Sequence, residues 1–440
     1  MHSELVLTRE GLNILIDAET HVEQKQILVG RSEFSGRIQW LIHSENQSET
    51  NSLWPAVVIH CDNMSKVGDY RRKLLRDTSA KHSLRLLVGK GNANGILLGY
   101  ESTPKGTREV TVVRILEPKL PIIHFTQEPR TYSSVDPIST QRWSRTITAL
   151  GLEHWQRLRE LDCVILGCGR AGSQVAATLA GMGVRLISLV DAHVLKQHHV
   201  GEMSGVCDGD VGDQKTAAFA SFLRQSNKSR NPSDLVVKAV PSSVTSMNSL
   251  AALKNADFVF CCVDNATEKL AASFLAATYL KPLIAIDTQV GVSVPESSTG
   301  LPFHAEAHVR LTVPGESCLA CLGRLPQFSS MDFRSRNRPN ELLRDSNQPI
   351  STPTAHLASL TGLAANLSIR LFEDYMCNRV SGSQWLQIAY RGNDATPAIS
   401  DQRTGTADCP VCKLTGTGDG GLQRFSRLVE QVSYWQFRTS

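Results

Sequence analysis

No window of the 440 residues holds the roughly 20 consecutive apolar residues that a bilayer-spanning helix needs. The opening stretch MHSELVLTRE also lacks the charged-then-apolar pattern of a secretion leader, so the sequence predicts a cytoplasmic protein with no membrane partner. A strong charge of either sign is missing too. The formal net charge is +4 with scattered basic residues, which leaves no electrostatic footprint for a nucleic-acid partner. Cysteine is present, but 11 is an odd number and no secretory context accompanies it, which argues against a disulfide framework and for free thiols and metal. The length suits two domains with ample apolar content for a core.

What is present is organised around Leu161 to Asp191. The run Asp162 to Leu166 reads as a buried strand, and Gly167, Gly169 and Gly172 follow at G-x-G-x-x-G spacing. Small, helix-permissive residues run from Ser173 to Met182, and Arg185 to Val190 form a second apolar strand that ends on Asp191. This is a βαβ unit. Its glycines let a backbone approach a phosphate, Arg170 sits at the helix start, and the acid closing the second strand is placed for ribose hydroxyls. A nucleotide is therefore expected at Gly167 to Gly172, and an NAD-dependent oxidoreductase is the first class to weigh.

Upstream, residues 1–138 have a different texture. Ala56 to His60, Leu84 to Val88, Gly95 to Tyr100 and Val110 to Leu116 are short β-like runs between polar and glycine-rich turns, and Lys66 to Asp77 reads as a helix. This predicts a smaller α+β domain of unknown role, joined by a linker over Pro118 to Pro137. From Thr140 to Leu161 the period is helical, with Arg142 and Arg145 on one face.

Downstream, Asp257 to Asn265 is an apolar strand ending in an acid and an amide. A carboxylate there lies on the ligand edge of an open α/β sheet, so Asp264 is the candidate Mg²⁺ holder with Asn265 beside it. Lys215 follows a glycine-bearing turn at a helix start, where it would meet phosphates as a point charge. Cys318-Leu319-Ala320-Cys321 and Cys409-Pro410-Val411-Cys412 supply four thiolates, which suits a closed tetrahedral Zn²⁺ site.

Taken in order, Arg142-Trp143-Ser144-Arg145, the glycine βαβ ending on Asp191, Gly209 to Lys215, Asp264-Asn265 and the two C-x-x-C pairs resemble the superfamily of ubiquitin-activating and molybdopterin/thiamine sulfur-carrier-activating enzymes, the ThiF/MoeB-like adenylyltransferases. The resemblance covers about Thr140 to Lys413. It implies a Rossmann-like α/β domain over 139–413 that binds ATP at the glycine turn (Gly167, Gly169, Arg170, Gly172, Asp191, Lys215, Asp264, Asn265). It also implies a homodimer in which Arg145 reaches the neighbouring subunit's ATP. The substrate it implies is the terminal carboxylate of a ubiquitin-like protein ending in glycine.

Departures from the family pattern are local. His193 stands for a second acid, and His199 and Glu202 stand where an Asn and an Arg contact phosphates. The crossover loop, about 322–354, contains no cysteine, and Ser351 occupies the place of the family's acceptor cysteine, with His356 near it in sequence. Two outcomes follow: the enzyme stops at the acyl-adenylate like a sulfur-carrier adenylyltransferase, or Ser351 forms an oxyester that passes to a conjugating enzyme. A non-catalytic scaffold is the remaining class. The tail 414–440 reads as a flexible linker, Gly416 to Gly421, followed by a helix.

Overall fold

The computed structural model describes residues 2–16, 24–34, 37–43, 53–61, 69–70, 72, 84–89, 95–103, 106–110, 112–116, 123–124, 141–227, 235–292, 303–322, 357–380, 382–391, 394–401 and 408–424. Within them an eight-stranded sheet carries the nucleotide unit. Its spatial order is Val236–Val240, Leu186–Val190, Asp162–Leu166, Phe258–Cys261, Leu283–Val292, Phe303–Thr312, Gln384–Arg391 and Asp394–Asp401. The first five strands are parallel and the last three antiparallel. Continuous apolar runs explain the parallel part: Cys163 to Leu166 and Phe258 to Cys261 are fully buried, because helices cover both faces.

Side-chain alternation divides these strands between two cores. Cys163, Ile165, Phe258 and Phe260 face the helices Arg170–Met182 and Ala358–Met376, with Phe372 edge-on to Phe258 at 4.8 Å. Val164, Leu166, Val259 and Cys261 face Met247–Asn255 and Ala266–Thr278. Chain order reverses between Asp162–Leu166 and Phe258–Cys261, and a crevice opens at the carboxyl ends of strands where such a reversal occurs.

A nine-stranded mixed sheet precedes it, ordered Gly106–Glu109, Gly95–Thr103, Leu84–Gly89, Trp54–Cys61, Gln24–Phe34, Arg37–Ile42, His2–Thr8, Val112–Leu116 and Ile123–His124. The four β-like runs of the sequence appear as strands. The sequence reading misses His2–Thr8, which pairs in parallel with both Arg37–Ile42 and Val112–Leu116. Leu5 and Leu7 enter this sheet's core with Trp40 and Leu86, whereas Val6 and Leu41 point to the other side and join the core of the nucleotide unit.

Two stretches differ from expectation. The helical period over 140–161 predicts one helix, but the chain breaks at Gly151, φ +87°, into Ser144–Leu150 and Leu152–Glu160. Trp143 and Trp155 dock this hairpin, donating their indole N–H groups to the carbonyls of Gly181 and Met182. Gly416 to Gly421, flexible by composition, is packed. Its backbone donates from Gly416 to Ala277 O and from Gly418 to Thr278 O, both at 3.0 Å. A Cβ on Gly30 would lie 2.0 Å from the Gly416 carbonyl oxygen.

Asp419 completes this strap. Its Oδ1 accepts from Lys254 Nζ at 2.6 Å and Tyr279 Oη at 2.8 Å, and its Oδ2 accepts from the Glu33 backbone at 3.1 Å. One carboxylate thus ties the first sheet to two helices of the nucleotide unit. Asp419→Ala strips the buried Lys254 ammonium of its carboxylate and is expected to cost about 2 kcal/mol. Calorimetry reads this as a lower apparent melting temperature, and an unchanged melting curve contradicts it.

Asp69, Tyr70 and Arg72, the described part of Lys66 to Asp77, are helical. The Pro118–Pro137 linker apart from Ile123 and His124, the crossover loop after Leu322 with Ser351, His356, and the tail after Arg424 lie outside the described residues.

Candidate active site

The glycine turn forms because nothing larger fits. Gly167 has φ +90°, and its N–H donates to Val190 O at 2.8 Å, which fixes the turn to the neighbouring strand. A Cβ on Gly172 would lie 1.9 Å from the Gly167 carbonyl oxygen, so this glycine lets the helix start press against the turn. Gly169 differs. It is the N-cap of Arg170–Met182, and a Cβ built on it meets no atom within 4 Å. That open space belongs to a cavity of about 1050 Å³ whose wall includes Gly167, Gly169, Asp191, His193, Lys215 and Asp264. The first amides of an α-helix have no partner inside the helix, and here no side chain caps them, so the cradle suits a phosphate group.

Asp191 closes the Leu186–Val190 strand and is almost fully buried. Its Oδ2 accepts from the Cys168 backbone at 2.9 Å, and its Oδ1 accepts from both the backbone N and Nδ1 of His193, each at 2.9 Å. Burial alone would raise this carboxyl's pKa. The His193 hydrogen bonds and the nearby Lys215 charge outweigh it and hold the group below its usual range, so it is ionised. The hydrogen bond to Asp191 in turn raises His193 above its ordinary value. Lys215 begins the helix Lys215–Ser226, donates its backbone N–H to His193 O at 3.1 Å and turns its side chain to the cavity wall.

Across the cavity, Asp264 is exposed at the end of the Phe258–Cys261 strand. Asn265 also lines the cavity, but its Oδ1 caps the next helix by accepting from Thr267 N at 2.8 Å. Sequence reasoning misses a third group. Lys269 is buried in the wall and bonded to Asp287, which also accepts from Arg310 Nη1 at 2.6 Å. Burial pulls Lys269 below its ordinary pKa and lowers Arg310 to about 10. The available signal was Asp287 itself, a third acid toward the carboxyl end of a parallel-sheet strand. Cys261 is a core thiol that burial pushes up to about 11.

Other expected phosphate contacts are placed differently. Arg170 stands outside the cavity wall and donates Nε to Glu202 Oε2 at 2.7 Å, so the Glu202 departure is a partner for the helix start. His199 lines the wall, and its Nδ1 accepts from Lys196 N at 2.8 Å, which puts the ring proton on Nε2. Burial, then the charges of Lys215 and His198, lower its pKa to about 4. Arg145 is exposed on Ser144–Leu150, away from this chain's cavity, while Arg142 stacks over Trp143 at 4.9 Å.

Cys318, Cys321, Cys409 and Cys412 converge as the sequence predicts, with all four sulfur atoms within 4.8 Å of one another. The Sγ separations are 3.7 Å for Cys318–Cys321 and 3.6 Å for both Cys318–Cys409 and Cys321–Cys412. Tetrahedral bonds of about 2.3 Å put thiolates roughly 3.8 Å apart, so the set fits zinc. Burial and the neighbouring sulfurs push Cys318 upward, so four thiolates need a dication to coexist. The cluster backs onto the helix that follows Asp264 and Asn265, and Leu319 N donates to Ser273 Oγ at 3.1 Å.

The chain is 27% identical over 303 residues to SAMP-activating enzyme E1 of Haloferax volcanii, covering 68% of this chain and 96% of that one. It is 24% identical over 199 residues to the adenylyltransferase and sulfurtransferase MOCS3 of Anopheles gambiae, 45% of this chain and 44% of that one, so it spans less than half of this second relative. Among solved structures, E. coli MccB with AMPCPP and MccA aligns at a TM-score of 0.46 and 18% identity, covering 64% of this chain and 76% of that one. The ThiF family matches residues 143–410, from the tryptophan that docks the basic hairpin into the second cysteine pair, and the chain belongs to that family.

Proposed function

We propose that this chain is an activating enzyme of the adenylyltransferase type: it uses ATP to adenylate the C-terminal carboxylate of a ubiquitin-like protein that ends in glycine. The observation that carries the reading is the cavity wall, which sets the open glycine cradle and Lys215 against Asp264. A carboxylate oxygen of the carrier attacks the α-phosphorus of ATP, the bond to the β-phosphate oxygen breaks, and pyrophosphate leaves with that electron pair. The helix N-terminus and Lys215 stabilise the charge on the phosphates as it shifts toward the leaving group. Asp264 would hold Mg²⁺, which when bound offsets phosphate charge. The four cysteines would hold a structural Zn²⁺ with no step routed through it.

The names of the relatives, a SAMP-activating enzyme and an adenylyltransferase, support the reaction class. Division into residues 1–138, 139–413 and 414–440 belongs to the same proposal, with 414–424 a packed strap in place of the linker. So does a homodimer in which the exposed Arg145 reaches the partner's nucleotide. Ser351 Oγ would attack the carbonyl carbon of the acyl-adenylate, losing its proton as the bond to AMP breaks and AMP leaves, and would hold the carrier as an oxyester for delivery to a conjugating enzyme.

ATP–pyrophosphate exchange with a glycine-ending ubiquitin-like protein, in the absence of NAD, is the expected result. No exchange with any such carrier contradicts the proposal. Ser351→Ala is expected to keep exchange and lose a hydroxylamine-sensitive enzyme–carrier adduct, whereas an adduct that survives the substitution rules out the oxyester.

A further inference from the structure

We propose that His193, oriented by Asp191, is the side chain that reads the ribose hydroxyls of the bound nucleotide. The inference rests on the adenylation reading and names how that site holds its nucleotide. In a βαβ nucleotide unit the acid that ends the second strand lies beside the ribose. Asp191 has that place, but its side chain is only 7% exposed and both its oxygens are engaged, Oδ2 by the glycine turn at Cys168 and Oδ1 by His193. Little of the carboxylate is left to face a ligand.

His193 has the opposite character. Its side chain is 75% exposed and lines the cavity with Gly167 and Lys215. A carboxylate only accepts, so Nδ1 carries the hydrogen and Nε2 is left on the far edge, an acceptor in the neutral ring and a donor in the charged one. Three bonds fix the residue before any ligand arrives: its backbone N–H and Nδ1 to Asp191, and its carbonyl from Lys215 N. Asp191 is then a positioning residue that acts through the imidazole, and a ribose hydroxyl hydrogen-bonds to Nε2. The His193 departure from the family pattern becomes a relay in place of a lost contact.

The experiment is calorimetric titration of the full chain and of His193→Ala with ATP, 2′-deoxy-ATP and 3′-deoxy-ATP in the presence of Mg²⁺. Wild type is expected to bind at least one deoxy analogue about tenfold more weakly than ATP. His193→Ala is expected to bind ATP about as weakly as wild type binds that analogue, and to lose the discrimination. His193→Asn keeps an acceptor on a shorter side chain and is expected to recover part of it. A His193→Ala enzyme that still discriminates as wild type does would overturn the relay while leaving adenylation intact. Wild type that binds no ATP would overturn the adenylation reading itself.

Discussion

Asp264→Asn is expected to lower carrier-dependent ATP–pyrophosphate exchange by about 10²- to 10³-fold with no change in melting temperature. The reason is a census of the acids in the cavity wall. Asp191 is committed to Cys168 and His193, Asp287 to Lys269 and Arg310, and Glu268 Oε1 accepts from Ser243 Oγ at 3.3 Å. Asp264 is the exposed carboxylate among them. Its neighbour Asn265 cannot replace it, because the amide oxygen is already the cap of Ala266–Thr278. Since the Asp264 side chain is exposed, removing its charge is expected to act on the dication it would hold and not on folding. Exchange measured across a Mg²⁺ titration checks this, and a variant with wild-type exchange contradicts it.

Metal removal is expected to have the largest effect on stability. The purified chain should contain one zinc per molecule, and Cys409→Ser should lose it, with a fall of roughly 10 °C in apparent melting temperature. Cys318, Leu319, Cys409 and Val411 share a core with Leu270 and Phe274, so a bound metal would brace the helix whose N-terminus begins at the Asp264–Asn265 end. The same knuckle starts the 408–424 segment whose Asp419 grips Lys254, Tyr279 and Glu33. Loss of zinc should therefore loosen the nucleotide unit and its hold on the first sheet together. Metal analysis with differential scanning calorimetry reads both quantities. A zinc-free chain that melts like wild type contradicts the assignment.

The parts of this fold that were legible in the sequence are those set by short-range chemistry. The Asp162–Leu166 strand, the glycine turn and the helix after it follow from a continuous apolar run, a spacing of glycines and a run of small residues, all within one βαβ unit. The four cysteines were legible because two C-x-x-C pairs in a sequence without secretory context have few chemical uses. Long-range pairing was not legible. Nothing local tells His2–Thr8 to lie between Arg37–Ile42 and Val112–Leu116, because both partners are distant in sequence and both faces of the strand are buried, Leu5 and Leu7 in one core and Val6 in the other.

Composition misleads in the strap for a physical reason. Gly418 lacks the Cβ that would meet the Arg31 carbonyl, and Gly416 and Gly418 take φ of +73° and +61°, yet the same residues in series read as a flexible chain. The hydrogen bonds of Asp191 were hidden as well. A strand-ending acid announces a ribose, but only the folded backbone shows that both its oxygens are already taken.

The central claim is that the glycine turn holds a triphosphate whose α-phosphorus is open to a peptide carboxylate. It is tested most directly with a carrier protein labelled with heavy oxygen in its terminal carboxylate, incubated with the enzyme, ATP and hydroxylamine. Attack by that carboxylate places one labelled oxygen between carbon and phosphorus, and cleavage at the carbonyl carbon leaves it on the nucleotide. Mass spectrometry is then predicted to find AMP carrying one heavy oxygen, whereas unlabelled AMP, or ADP with phosphate, would contradict the mechanism.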